Sequence, residues 1–330
     1  MAGSARRFTL LAMGLALGLT GGLALLNCLV DPYNRYGLNR LGVYISAERE
    51  CKATEVRHYP HNALLLGNSR MVGISPRELQ GFRFFNGTFA GATAEEIFYF
   101  ASHFATNIDL VILSVDLGKC DPEKRKGDIF APASCQAILD NLLNLQTVEY
   151  SLRTIADHLA GQPKPNQPDG SYDMLPWVKS ADRDDPALRD WTIAMFKTTT
   201  EEYSTPTPEQ FSFYRQLAAC LQQRGITCVV IIPPLHEALA QHLRSRPNLA
   251  AYQAWRRELD AIFPNVVDLS FSSYGAADNY FQSDPVHFRP EVGVQMLNTE
   301  VIPVALRLVA RAAAHSSVRP EVLHLGSTRD

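Results

Sequence analysis

The chain has no long run of Lys or Arg, no Cys-x-x-Cys or Cys/His pair at metal-ligand spacing, no low-complexity tract and no repeat of solenoid period. Each absence removes a class. With 31 Lys+Arg against 34 Asp+Glu and a net charge of −3, the electrostatic footprint of a nucleic-acid binder is missing. Without tight ligand spacings the sequence offers no zinc site, and a hydrolytic metal on Asp116, Asp284 and His287 is set aside for the same reason. An apolar content of 46% excludes a disordered chain. The 330 residues suffice for about two domains of ordinary size, or for one large domain carrying an insertion.

Charge is also missing from Phe8 to Val30, the one long apolar run, which Arg6 and Arg7 precede. At about 1.5 Å per residue a helix of this length spans about 35 Å, enough to cross a bilayer core. Residues 1–30 therefore read as an uncleaved anchor. A cleaved secretory signal is the alternative, but its apolar region is usually about 7–15 residues and no small-x-small site precedes Asp31. Lipidation at Cys28 is disfavoured by Asn27 before it. The arginine pair favours the cytoplasmic side, against the pull of Arg35 and Arg40, so a single-pass protein is expected with its body in the periplasm or cell exterior. Beyond the anchor five cysteines remain, an odd number, with Cys120 and Cys135 the first pair to test and Cys228 a core residue.

The body alternates short apolar runs with helical patterns. Strands are expected at Ala63–Leu66, Arg83–Asn86, Leu110–Val115, Thr227–Ile232 and Val266–Leu269. Capping boxes at Ser75–Glu78 and Thr93–Glu96 and a capped start at Thr207–Gln210 open helices. Further helices are expected over about 137–159, about 252–262 and from Pro290 to about Ala313. The fold class is therefore α/β, a three-layer αβα sandwich with a five-stranded, mostly parallel sheet. Residues 31–62 form a juxtamembrane segment, 63–313 the α/β domain, about 121–205 a helical insertion, and 314–330 a flexible tail.

In such a sheet ligands sit at the carboxyl ends of the strands. Gly67-Asn68-Ser69-Arg70 follows the first strand, and Asp284-Pro285-Val286-His287 forms a loop after the fifth. A serine at a strand-to-helix turn can use local amides to hold an oxyanion, but it needs a base such as histidine to remove its proton. An aspartate beside that histidine fixes its tautomer and stabilises the imidazolium. Ser69, His287 and Asp284 supply the three types. Alone, a Gly-x-Ser turn or an Asp-x-x-His is usually only structural; their order on an α/β pattern is more specific.

On these residues the chain resembles the SGNH/GDSL hydrolase superfamily, whose core is flavodoxin-like, and more narrowly the membrane-anchored branch that includes the alginate O-acetyltransferase-like proteins. The resemblance runs from about Ala63 to the last helix, interrupted by the insertion. Gly67-Asn68-Ser69 matches the first block, with Asn68 where aspartate is common. Asn86-Gly87-Thr88-Phe89-Ala90-Gly91-Ala92-Thr93 matches the second, with Gly91 at the oxyanion glycine. Asp284 and His287 match the last, and Val230-Ile231-Ile232-Pro233-Pro234-Leu235-His236 also looks like these proteins. The third block departs: Ser114-Val115-Asp116-Leu117 stands where Gly-x-Asn-Asp is usual. A carboxylate at Asp116 opposes an oxyanion unless it is protonated or turned away.

The resemblance implies acyl-ester chemistry on Ser69, with His287 as base, Asp284 as its orienting partner, and the Ser69 and Gly91 amides as oxyanion donors. It implies no cofactor, an acylated or acceptor polysaccharide, and a membrane acyl-donor protein as partner. Asn68, Arg70, Asp116 and His236 are placed beside the site. Arg70 either binds an anionic substrate or pairs with a helix carboxylate, and His236 either lines the pocket or is an ordinary loop residue. Trp177, Trp191 and Trp255 either stack on sugars or pack in the core.

Overall fold

A computed structural model describes residues 2–316 of the chain, apart from 46, 117–126, 132–133, 174–182, 204–207 and 246–247. Helix α1 (Ala2–Val30) is followed by α2 (Glu48–His58), and the sheet then begins with β1 (Ala63–Leu66) and β2 (Phe84–Asn86). Helix α3 (Ala94–Phe104) leads to β3 (Leu110–Ser114). The insertion contributes α4 (Cys135–Leu142), α5 (Leu145–Leu159) and α6 (Pro186–Tyr203). Helix α7 (Pro208–Gln223), β4 (Thr227–Ile232), α8 (Glu237–Leu243), α9 (Asn248–Ile262) and β5 (Val266–Asp268) complete the sheet. A small antiparallel hairpin, β6 (Tyr280–Phe281) and β7 (Asp284–Phe288), precedes α10 (Pro290–Met296). One π-helical stretch, Leu297–Val301, joins α10 to α11 (Ile302–Ser316).

The five strands are parallel throughout, in the order β2-β1-β3-β4-β5. Continuous apolar runs make this possible, because β1 and β3 are buried on both faces. Alternate residues divide between two cores. Leu64, Leu66, Val111, Leu113, Val230 and Ile232 pack with Phe100, Leu217 and Leu259 of α3, α7 and α9. Ala63, Leu65, Leu110, Ile112, Val229 and Ile231 pack with Met296, Leu297, Val301 and Ile302 on the other face. The strand order reverses between β1 and β3, so their carboxyl ends open the crevice in which doubly wound sheets bind ligands.

The α/β expectation holds, with local corrections. Ser75–Glu78 is no capping box: Pro76–Glu78 makes one 3-10 turn and the Ser75 side chain does not cap it. The chain must reach β2 a few residues later, and Gly81 turns it there at φ 78°. The expected helix over about 137–159 is two helices, because the Asn144 side chain accepts from Gln146 N (2.8 Å) and starts a new one. At Thr93 the capping box forms as read. Thr207, Cys120, Trp177 and most of the tail lie outside the described residues, so the Cys120–Cys135 pairing does too; Cys135 is a free, exposed thiol.

Among the described residues two helices are long and apolar enough to cross a membrane. Ser4–Val30 is exposed along nearly its whole length. Pro290–Ala314, which the sequence reading did not count, turns its apolar side chains into the sheet and is a core helix.

Candidate active site

Gly67 ends β1 at φ 148°, and a Cβ there would lie 2.6 Å from Ser114 Cβ, so only glycine lets β1 and β3 approach at this level. Asn68 then caps a single 3-10 turn, Ser69–Met71, by accepting from Arg70 N (3.1 Å). Ser69 is the first residue of that turn, where leading N–H groups have no partner within the turn. Its hydroxyl lies 2.9 Å from His287 Nε2. His287 Nδ1 lies 2.8 Å from Asp284 Oδ2, and Asp284 Oδ1 accepts from the amides of Val286 (2.8 Å) and His287 (3.1 Å). Burial raises the Asp284 pKa, but the His287 side chain and these amides outweigh it and hold the carboxyl below its usual 3.8. An ionised Asp284 accepts only, so Nδ1 carries the imidazole proton and Nε2 is free to accept from Ser69. Ser69, His287 and Asp284 thus form a hydrogen-bonded chain between residues 218 positions apart.

The sequence reading put Asp284 and His287 in a loop; they lie instead on strand β7, paired with β6. Tyr280 in β6 explains why the hairpin sits where it does. Its hydroxyl donates to Pro234 O (2.6 Å) at the end of β4, and burial pushes its pKa up to about 12. Helix α6 of the insertion packs against β7 and α8, so the insertion borders the site.

Asp116 emerges at the end of β3, where both carboxylate oxygens are occupied. Asn68 Nδ2 donates to one and Arg70 to the other (2.8 Å). Arg70 also donates to Pro234 O and faces the Phe288 ring at 5.3 Å. Its side chain is 8% exposed, so it is an internal counter-ion and not a surface anion hook. The Asp116 carboxylate is therefore compensated in place. His236 is buried, caps α8 by accepting from Ala238 N at Nδ1 (3.2 Å), and meets Tyr280 edge-on at 5.1 Å. Burial lowers its pKa. Trp255 is a core residue, whereas Trp191 on α6 is 61% exposed.

Gly91 lies in the loop after β2, exposed and at φ 59°. Phe89 N donates to Gly67 O (3.1 Å) and ties this loop to the serine turn. Three neighbours on α2, which the sequence reading overlooked, hold the loop from below. Lys52 Nζ donates to Thr88 O (2.5 Å), Glu48 Oε2 accepts from Ala90 N (2.8 Å), and Arg49 donates to Ala90 O (3.0 Å). Lys52 is buried, and desolvation lowers its pKa against the opposing pull of Glu48, Cys51 and Glu55. A second missed residue is Asn86. Its Nδ2 donates to Met71 O (2.9 Å) and Ile74 O (2.9 Å), while its Oδ1 accepts from Thr88 N and Oγ1. One buried side chain thereby fastens the segment after Ser69 to the Gly91 loop. An asparagine closing an apolar strand was the available signal. Among the described residues no cluster of His, Cys, Asp or Glu could hold a metal ion.

No protein-family model matches the chain. No curated protein matches it. Among solved structures it is similar to a chain described provisionally as a platelet activating factor from Streptococcus pneumonia, at 12% identity and a TM-score of 0.39, over 78% of this chain and 92% of that one.

Proposed function

We propose that this protein is a membrane-anchored serine acyltransferase or esterase acting on O-acyl groups, foremost acetyl, of cell-surface or exported polysaccharide. The observation that carries the reading is the unbroken Ser69–His287–Asp284 hydrogen-bond chain at the carboxyl end of the sheet. His287 Nε2 takes the Ser69 proton as Oγ attacks the acyl carbonyl, and Asp284 stabilises the imidazolium that forms. The tetrahedral oxygen is received by the amides of Ser69 and Gly91. His287 then protonates the departing alcohol, leaving an ester on Ser69. Water or a sugar hydroxyl, deprotonated by His287, releases the acyl group; the acceptor alone separates hydrolysis from transfer.

The Arg70–Asp116 pair supports this reading, because a compensated carboxylate does not oppose the developing negative charge as an isolated one would. The sequence resemblance supports transfer to polysaccharide with a membrane acyl donor, and α1 would keep the enzyme beside such a donor.

The test is the full chain in detergent with p-nitrophenyl acetate, run beside Ser69→Ala. A burst of nitrophenol and an acetyl adduct on Ser69, both lost in the variant, are expected. Equal background signals from two folded proteins would replace the reading by a catalytically silent, polysaccharide-binding or assembly role.

A further inference from the structure

Helix α5 is inside out for a helix facing water. Its inward side consists of small polar residues, Thr147, Ser151 and Thr154, which are at most 1% exposed. Its outward side carries Leu145, Leu152 and Leu159 at 75%, 56% and 80% exposure. These leucines recur every seven residues and so form one stripe. Neighbouring α4 and its C-cap add Leu139 and Leu143, also exposed.

Both helices pack on the end of α1, whose earlier turns are bare. The junction is polar. Asn27 of α1 is fully buried; its Nδ2 donates to Leu142 O (2.8 Å) and its Oδ1 accepts from Ser151 Oγ (2.9 Å). From Phe8 to Asn27 a helix rises about 29 Å, close to the roughly 30 Å of a bilayer hydrocarbon core. With Arg6 and Arg7 at one boundary, Asn27 therefore marks the other, and its bond to Ser151 puts the middle of α5 at that level. Tyrosines gather there as well. Tyr33 and Tyr150 meet edge to face at 5.8 Å, and with Tyr44, Tyr172 and Arg153 they line a cleft of about 510 Å³ between α5 and the segment after α1. Tyrosine suits headgroup depth, with its ring in apolar surroundings and its hydroxyl in water.

We infer that α4 and α5 form a foot that lies in the outer interface of the bilayer, its leucine face in lipid and its small polar face clamped to α1. A lipid surface is the occupant because the apolar stripe is continuous with a helix built to stand in lipid. The clamp also makes the end of α1 a structural part of the body, so the anchor is retained. Burying leucine surface in the interface stabilises such a foot in proportion to the area covered.

The test uses the full chain in lipid nanodiscs, with p-benzoylphenylalanine replacing one residue at a time at Leu145, Leu152, Leu159, Leu15 in α1, and Glu258, an exposed residue of α9 (54%). After irradiation, adducts are identified by mass spectrometry, and near-ultraviolet circular dichroism checks each fold. Lipid adducts at the three α5 positions and at Leu15, with none at Glu258, are expected. Adducts to a polypeptide at the α5 positions overturn the inference in favour of a protein partner. No α5 adduct alongside a lipid adduct at Leu15 overturns it in favour of a water-facing surface. Loss of lipid adducts at Leu15 too overturns it together with the membrane span. None of these outcomes depends on Ser69 chemistry.

Discussion

Substituting Arg70 and Asp116 singly and together tests how the crevice beside Ser69 tolerates a nearly buried carboxylate. The charges lie 2.8 Å apart with side chains 8% and 16% exposed. At that spacing and an effective dielectric of about 20, their attraction is on the order of 6 kcal/mol before desolvation is charged against it. Arg70→Met leaves Asp116 with Asn68 as its donor and the Pro234 carbonyl with Tyr280 as its donor, so a loss of about 3–5 kcal/mol is expected, from the uncompensated buried carboxylate. Asp116→Asn leaves Arg70 buried without its counter-ion and should cost about 2–4 kcal/mol. In the double variant no uncompensated charge remains, so the two losses should fall short of adding by at least about 1.5 kcal/mol. Urea unfolding of the full chain in a mild detergent, followed by circular dichroism, measures all four corners. Additivity within about 0.5 kcal/mol would refute the argument, because it would mean that Asp116 gains nothing specific from Arg70. The acylation rate provides a second readout: Arg70→Met should slow it more than the double variant does, since only the single change leaves a bare carboxylate beside the serine turn.

Three further outcomes follow from the same geometry. Asn86→Ala removes the buried donor to Met71 O and Ile74 O and the acceptor of Thr88 N and Oγ1, and should cost about 2–5 kcal/mol in urea unfolding; Asn86→Asp should not restore it because it removes the donor. Gly67→Ala forces a contact 2.6 Å from Ser114 Cβ at positive φ and should destabilise by about 2–4 kcal/mol in thermal unfolding; an unchanged melting temperature would show that β1 and β3 can part freely. Asp284→Asn should lower esterase turnover by about 10⁴-fold while leaving the fold intact. Because the folded Asp284 pKa is depressed, its contribution to stability is complete above about pH 4 and is lost as pH falls through the lower folded value. The stability gap between wild type and Asp284→Asn should therefore close only on the acid side, which unfolding curves from pH 2 to 7 would reveal.

The parallel sheet was legible because β1, β3 and β4 are continuous apolar runs ended by Gly67, Asp116 and Pro233, and burial on both faces demands that pattern. Ser69, Asp284 and His287 were legible because strand ends are where chemistry collects and because the chain resembles a known family. The hairpin carrying Asp284 and His287 was not, since its pairing is with a two-residue strand too short to show a period. The partner of Arg70 was equally hidden: pairing with a carboxylate was expected on a helix, but Asp116 lies 46 residues away at the end of a strand. Lys52 and Glu48 fall in the segment read only as juxtamembrane. Only the approach of α2 to the loop after β2 buries them, and that approach is a tertiary event with no local signature. The polar inner face of α5 has no local signature either, because only its packing on α1 decides which side is buried.

The route from α1 to the serine contains little slack. Asp31 follows the helix, almost fully buried, with its carboxylate accepting from the amides of Arg35 (2.8 Å), Tyr36 (2.9 Å) and Leu38 (3.1 Å). Soon afterwards α2 grips the loop that runs on to Gly91. On the function proposed above, a centre mounted so rigidly on its own stalk would work as a gauge, meeting bonds presented at one fixed height and ignoring those above or below it. Lengthening the stalk between Leu38 and Ala47 would then change which chains are modified before it changed how fast any accessible ester reacts.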